Sequence, residues 1–341
     1  ERTEGRSDVT GREAAAAGAE RAWRLEERES PFHLADDARA GLTASPKAMS
    51  PKYFYDARGS RLFEEITRQP EYYPTEAERE ILRDWAAWLA ARTRSEVLVE
   101  FGSGNADKTR VLLDALRDAG TLEGYAPIDV SADASRRAAE ALIREYPGLR
   151  VEGVIGDFVH PHDLPFGGRR RLFAFLGSTI GNFERAEAAA FLSGVAGEMR
   201  DGDALLIGFD LVKDREILER AYNDAAGVTA EFNRNLLRVL NRELGADFDP
   251  DAFAHRAFWN AAEERIEMHL VSRAAQTVHL EELDLDVSFA AGESVRTELS
   301  HKFTPDSARR LLAGAGLRVE GWRTDARGRY ALCLAVPDGE G

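Results

Sequence analysis

The sequence predicts a doubly wound α/β fold that carries an antiparallel hairpin at one edge and is interrupted by a second module of mixed α+β character. Three observations lead there. From Val97 to Phe209, short apolar runs alternate with helical patterns of about ten to fifteen residues, the rhythm of strand–helix–strand units on a parallel sheet. Beyond residue 213 the alternation stops, and a mostly helical stretch gives way to several alternating strand-like runs. Near the end, Leu317 to Arg323 and Tyr330 to Val336 flank a turn at Asp325 to Gly328, as an antiparallel edge pair on a mostly parallel sheet would.

The elements follow in order. Val97-Leu98-Val99-Glu100-Phe101 is a strand that runs into Gly102-Ser103-Gly104-Asn105, and a helix from Lys108 to Asp118 follows with Val111, Leu112, Ala115 and Leu116 on one face. Strands are expected at Gly124 to Val130, Arg150 to Ile155, Leu172 to Leu176 and Ala204 to Phe209, and helices at Asp133 to Tyr146 and Arg185 to Met199. Asp214 to Leu244 reads as helical, Phe253 to Ser300 as strands joined by turns, and Thr304 to Ala315 as a helix. The stretch before residue 75, rich in aromatics but without strand–helix alternation, joins the inserted module. Glu1 to Glu20 is polar, alanine-rich and without a secretory apolar segment, and reads as a frayed lead.

Composition narrows the function. The chain has 341 residues and a formal net charge of −15, a balance that repels phosphate backbones and anionic lipid surfaces. The run Arg169-Arg170-Arg171 is too short to reverse it. A small-molecule partner is therefore expected, with no nucleic acid, no membrane and a monomer as the default state. No run approaches the roughly 20 apolar residues of a membrane span, and the cytoplasm is the default location. The single cysteine, Cys333, excludes an intramolecular disulfide and lies in an apolar run, as a buried structural thiol would. His160-Pro161-His162-Asp163 is read as an exposed loop; no metal is expected.

Chemistry gathers at the strand ends. Open α/β sheets bind ligands outside the carboxyl ends of their strands, and Gly102 and Gly104 there allow close backbone approach. The next strand ends at Asp129, placed to accept hydrogen bonds from two ribose hydroxyls. The third ends at Asp157-Phe158, an acid and an aromatic suited to clamp an adenine. Each acid alone would also serve as a helix cap or turn residue; as a series they favour a cofactor. The third glycine of a dinucleotide fingerprint is lacking, and Lys108 follows Gly104 by four, which points away from a pyrophosphate and toward an adenosyl ligand without phosphates.

Phe101-Gly102-Ser103-Gly104-Asn105-Ala106-Asp107-Lys108-Thr109, Tyr125-Ala126-Pro127-Ile128-Asp129-Val130-Ser131 and Phe175-Leu176-Gly177-Ser178-Thr179-Ile180-Gly181-Asn182 resemble the histidine-specific methyltransferases of the ergothioneine pathway. So do Pro51-Lys52-Tyr53-Phe54-Tyr55-Asp56, Pro70-Glu71-Tyr72-Tyr73-Pro74-Thr75 and Glu293-Ser294-Val295-Arg296-Thr297-Glu298-Leu299-Ser300-His301-Lys302-Phe303. The resemblance runs from about residue 30 to the C-terminus. It implies a class I methyltransferase (Rossmann-like) domain, 76–212 with 303–341, and a substrate domain, 24–75 with 213–302, after a lead of 1–23. It also implies three methyl transfers from S-adenosylmethionine to the α-amino group of L-histidine, giving N,N,N-trimethylhistidine (hercynine).

By the same resemblance Tyr72 lies against the imidazole, Asn182 holds the amino acid's backbone end, and Tyr222 binds its carboxylate. Tyr72 and Asn182 are the two assigned to catalysis. Glu298 and Ser300 bond the ring nitrogens, Met268 shapes the ring pocket, and Tyr55 stands farther along the same wall. Gly102, Ser103, Gly104, Lys108, Asp129, Asp157 and Phe158 fall to the cofactor, and Gly177 lies where the two ligands meet. Glu298 and Ser300 are two apart in a strand-like stretch, so they share a face, and a carboxylate with a hydroxyl can satisfy both nitrogens of an imidazole. Hydroxyl and amide donors suffice to grip the zwitterion, and no side chain stands out as a base for the amine, whose proton is expected to pass to water. Two other readings compete: an N-methyltransferase of another amine such as a tryptophan derivative, and a non-catalytic adenosyl-ligand sensor.

Overall fold

The computed structural model describes residues 23–28, 33–104, 108–156 and 161–339. In chain order the strands and helices are β1 (Trp23–Glu27), α1 (Leu34–Thr43), β2 (Lys47–Ala48), α2 (Ala57–Ile66), α3 (Pro74–Thr93), β3 (Val97–Phe101), α4 (Thr109–Asp118), β4 (Gly124–Asp129), α5 (Ala132–Glu145), β5 (Arg150–Ile155), β6 (Arg171–Phe175), α6 (Arg185–Glu198) and β7 (Ala204–Asp210). There follow α7 (Arg215–Ala221), α8 (Val228–Leu244), β8 (Phe253–Asn260), β9 (Arg265–Ser272), β10 (Gln276–Leu280), β11 (Leu285–Phe289), β12 (Ser294–His301), α9 (Pro305–Gly314), β13 (Leu317–Thr324) and β14 (Tyr330–Pro337).

The main sheet has eight strands in the order β1-β5-β4-β3-β6-β7-β14-β13, parallel up to β7 and antiparallel at β14 and β13. Every residue of β3, β6 and β7 is buried, as strands covered on both faces must be. Successive side chains serve opposite faces. Leu98 joins a core with Trp85, Leu89, Leu116 and Leu142, whereas Val97 and Val99 join Phe191, Leu192 and Leu312. From β3 the chain builds outward through β4 and β5, then returns to place β6 on the other flank of β3. That reversal opens a crevice at the carboxyl ends of β3 and β6, where such folds hold ligands.

The edge strand β1 corrects the sequence reading. Trp23–Glu27 was expected in the lead and the second module, but it pairs in parallel with β5 along the main sheet. Its sequence, Trp-Arg-Leu-Glu-Glu, is mostly polar, and Leu25 is its one buried side chain. An edge strand tolerates this, and no apolar run announces it. The reading of Glu1 to Glu20 lies outside the described residues.

A third core, including Leu42, Phe54, Leu218, Phe232, Leu236 and Met268, lies under a separate four-stranded sheet, β2-β12-β9-β8. The chain leaves the main sheet at Leu211 and comes back at Phe303, and these two residues form a bridge, with Val212 N donating to Phe303 O at 2.9 Å. Close approach is secured at Gly181, where a Cβ would stand 2.7 Å from the His301 carbonyl oxygen. Only glycine lets the turn after β6 lie this tightly against the end of β12.

Part of the short basic run is structural. Arg171 is buried and its guanidinium meets Asp203 Oδ2 from both Nε (3.2 Å) and Nη2 (3.1 Å), while its backbone N–H donates to Asp203 Oδ1 at 2.7 Å. This pair ties the start of β6 to the turn before β7. Removing one partner leaves a buried charge alone. Asp203→Ala is therefore expected to lose roughly 3–5 kcal/mol of unfolding free energy in denaturant titration.

Candidate active site

One cavity of about 840 Å³ runs from the crevice of the main sheet to the face of β12, within the ~300–1,000 Å³ range of small-ligand sites. Tyr55, Tyr72, Gly102, Ser103, Gly104, Lys108, Asp129, Gly177, Asn182, Tyr222, Met268, Glu298 and Ser300 all line it. Asp157 and Phe158 lie outside the described residues.

At the main-sheet end, β3 stops in a turn where Gly102 and Gly104 have φ of +70° and +52°. Asp129, at the tip of β4, accepts from Gly104 N at 2.9 Å through Oδ2 and from Ser131 N at 2.9 Å through Oδ1. The carboxylate thus braces the turn, and each oxygen keeps a further lone pair. Burial pushes its pKa up, against the backbone N–H groups that hold it down. Beside it Glu100 is buried and accepts from Thr109 Oγ1 (2.5 Å) and Tyr125 Oη (2.7 Å), and burial pushes it up to about 7. A Cβ on Gly104 would meet nothing within 4 Å, so the turn has open space before it. An open glycine turn, a braced acid with spare acceptor capacity and a lysine at the rim fit an adenosyl group carrying an amino-acid tail.

Lys108 was expected among the cofactor's contacts. It lines the cavity, and its ammonium is ion-paired with Glu78 of α3. Glu78 is fully buried, and its Oε1 accepts from Gly177 N at 2.8 Å and Tyr330 Oη at 2.6 Å. One helix residue therefore connects Lys108, the turn after β6 and β14. Gly177 itself has φ +74°. Glu78 escaped sequence reasoning because a lone glutamate in a charged helix looks solvated.

At the other end, Glu298, Ser300 and Lys302 reach the cavity at the spacing of two that one strand face imposes, and Arg296 lines it from beyond a bulge. A bulge between Arg296 and Glu298 shifts the register with β9, so that Glu298 sits opposite Met268. Burial pushes the Glu298 carboxyl up to about 7, while the Lys302 ammonium draws it down. Tyr222 Oη donates to Ser300 Oγ at 2.9 Å, joining two residues assigned to different parts of the substrate.

Behind them stands Lys302, which was not among the expected site residues. Its Nζ donates to Tyr222 Oη (2.9 Å) and Ser300 Oγ (2.8 Å) and pairs with Asp210 Oδ2 at 2.9 Å. A buried ammonium thus backs the hydroxyls expected to grip the zwitterion. Asp210 is the last residue of β7 and also accepts from Tyr73 Oη at 2.8 Å and Lys213 Nζ at 2.5 Å. Although burial opposes it, the two ammonium groups hold its carboxyl below the usual range. The alternation that puts Glu298 and Ser300 on one face reaches Lys302 two residues farther on.

Aromatic rings form the remaining wall. Tyr55 meets Phe63 and Phe232 edge-on, with centroids 5.7 and 5.6 Å apart, and Tyr72 meets Phe63 at 6.3 Å. Burial first, then neighbouring acidic groups, drive the Tyr55 and Tyr72 phenols far above their ordinary pKa. They are neutral donors, not bases. Tyr222 is held from behind by a relay: Thr297 Oγ1 donates to Asn233 Oδ1 (2.7 Å), Asn233 Nδ2 meets His255 Nδ1 (2.9 Å), and His255 Nε2 meets the Tyr222 carbonyl (2.9 Å). A carbonyl only accepts, so this imidazole carries its proton on Nε2.

A reversed parallel sheet with an antiparallel edge, a glycine turn and a braced acid at the next strand end define a class I methyltransferase. The sequence profile of the histidine-specific, S-adenosylmethionine-dependent methyltransferases matches residues 34–337, and the chain belongs to that family. A histidine N-alpha-methyltransferase of Mycolicibacterium smegmatis is 56% identical over 304 residues, covering 89% of this chain and 94% of its own. One from Mycobacterium tuberculosis is 54% identical over 311 residues, covering 90% of this chain and 97% of its own. A 4-dimethylallyltryptophan N-methyltransferase of Claviceps fusiformis is 30% identical, covering 84% of this chain and 87% of its own.

The buried Glu298 has a measurable signature. With its carboxyl pushed up to about 7, the folded protein keeps a proton that the unfolded chain releases at an ordinary carboxylate pKa. Stability drawn from this group is therefore lost as pH rises from that range to about 7. Glu298→Gln removes the loss, so urea titrations of the ligand-free protein should show the variant gaining on the wild type between about pH 5 and pH 8. A constant difference across that range would count against this assignment.

Proposed function

We propose that this protein transfers three methyl groups in succession from S-adenosylmethionine to the α-amino group of L-histidine, giving N,N,N-trimethylhistidine, the first step of ergothioneine biosynthesis. The observation that carries the reading is the pairing of Glu298 and Ser300 on one strand face, across the cavity from the glycine turn. A carboxylate that accepts and a hydroxyl that donates match the two nitrogens of an imidazole. An indole offers one N–H and would leave a buried polar group without a partner, which is costly. Cytoplasmic placement fits a free amino-acid substrate; among the described residues no helix is long and apolar enough to cross a membrane.

Residues 33–75 and 213–302 are taken as the unit that holds histidine, and the main sheet as the unit that holds the methyl donor. Gly102, Ser103, Gly104 and Lys108 would hold the donor's amino-acid tail and Asp129 its ribose, with Asp157 and Phe158 assigned to adenine. The donor supplies a methyl group on a sulfonium. The protein's part is alignment: Asn182 and Tyr222 fix the backbone end, Glu298, Ser300 and Met268 fix the ring, and Tyr72 with Tyr55 closes the wall. Gly177, without a side chain, leaves room where the amine meets the methyl group. Holding two reactants in line lowers a barrier by roughly 7–11 kcal/mol in favourable cases. The phenols lining the site stay protonated, so the amine's proton passes to water, and the adjacent positive charge favours the neutral amine.

Incubation with S-adenosylmethionine and an equimolar pool of the twenty amino acids, read by mass spectrometry, should show histidine gaining three methyl groups. Gain by another amino acid and none by histidine would sink the proposal. Glu298→Ala should raise the histidine KM by roughly 10–100-fold, the worth of a hydrogen bond to a charged group. Tyr72→Phe is expected to accumulate mono- and dimethylated product at early times; an unchanged product distribution would remove its hydroxyl from the orientation of the amine.

A further inference from the structure

An ammonium group has three protons to give and no lone pair to accept with. Those of Lys302 are all engaged, by Asp210 Oδ2, Ser300 Oγ and Tyr222 Oη, at 2.8–2.9 Å. Lys302 therefore has no donor left for a ligand, and its effect on the site passes through the two hydroxyls. A hydroxyl that faces an ammonium must present oxygen, which turns its own proton elsewhere. In the free cavity one such proton bridges Tyr222 and Ser300 at 2.9 Å. A ligand with one acceptor near each oxygen can take both.

We infer that Lys302 is a positioning residue that sets Ser300 and Tyr222 as donors, so that Ser300 meets a bare ring nitrogen and the site selects the neutral imidazole in a single tautomer. This rests on histidine being the substrate. Glu298 lies two residues away on the same face, and with or without a proton on its buried carboxyl it keeps an oxygen that can accept from the ring N–H. An imidazolium would bring a second N–H, and a second positive charge, to a hydroxyl whose oxygen already takes an ammonium proton. The charge on Lys302 is secured from the other side by Asp210, which Lys213 and Tyr73 also engage. The other titratable groups at this end, Tyr55, Tyr72 and Tyr222, are neutral phenols held so by burial.

The direct test uses the native enzyme. Ring-¹⁵N-labelled histidine bound with S-adenosylhomocysteine at about pH 6, where much of the free amino acid is imidazolium, should show one protonated and one bare ring nitrogen. Two equivalent protonated nitrogens, or a mixture of tautomers, would overturn the inference while leaving histidine as the substrate. A native enzyme that binds no histidine under these conditions overturns the substrate reading and this inference together.

Kinetics supply a second arm. Lys302→Met should raise the histidine KM by about 30-fold while S-adenosylhomocysteine affinity changes by no more than about twofold. It should also shrink, by about tenfold, the preference for histidine over 3-(pyrrol-2-yl)alanine, whose ring has an N–H but no bare nitrogen. A merely structural lysine would weaken both amino acids alike and leave that preference intact, which would refute the assignment. If the variant does not fold, the nitrogen spectra of the native enzyme decide the matter.

Discussion

The buried ion pair between Lys302 and Asp210 is the constraint on which the rest of the site depends. Asp210 ends β7, where the chain departs from the main sheet, and Lys302 directly follows β12, where it returns. Neither charge is viable alone at such depth, since unpaired burial of either ion costs several kcal/mol. The pair thus fixes the end of one sheet against the end of the other, and the cavity between them inherits that registration. Tyr222 and Ser300 gather around the same ammonium, and Tyr73 and Lys213 around the same carboxylate.

The two ends of the cavity use different physics. At the glycine turn the polar groups are backbone N–H donors and a braced carboxylate, positioned by the sheet itself. At the β12 face they are side chains two apart on one strand, reinforced by a relay through Asn233 and His255. A backbone site binds what most members of a fold bind in common. A side-chain site can be redrawn by substitution, which is where discrimination between amino acids belongs.

Much of the architecture was legible because strand–helix alternation is a strong local signal, and β3, β4, β5, β6 and β7 lie within a residue or so of the segments predicted from apolar runs. Strand β1 was not, because an edge strand of largely polar residues lacks that signal. The cofactor turn was legible from its glycines and the spacing to Asp129. Glu298 and Ser300 stood out only once a family resemblance drew attention to their strand. Lys302 and Glu78 were missed for a shared reason: a charged residue in an acidic, charge-rich sequence looks solvated until its partners, distant in the chain, are known. Asp210 pairs with Lys302 and Glu78 with Tyr330 across stretches that no local pattern spans.

The last strand has a consequence for biosynthesis. β14 lies directly against β7, although the whole inserted module separates them in the chain. Its first residue, Tyr330, bonds the same Glu78 oxygen that receives the N–H of Gly177, in the turn after β6 that lines the cavity. During translation the central cleft therefore stays unfinished until β14 emerges, and the outer edge of β7 stays open for as long. Ligand affinity then belongs to chains that have added β14, so a saturating methyl donor would preferentially protect those from unfolding and proteolysis and leave chains cut short of it to be cleared.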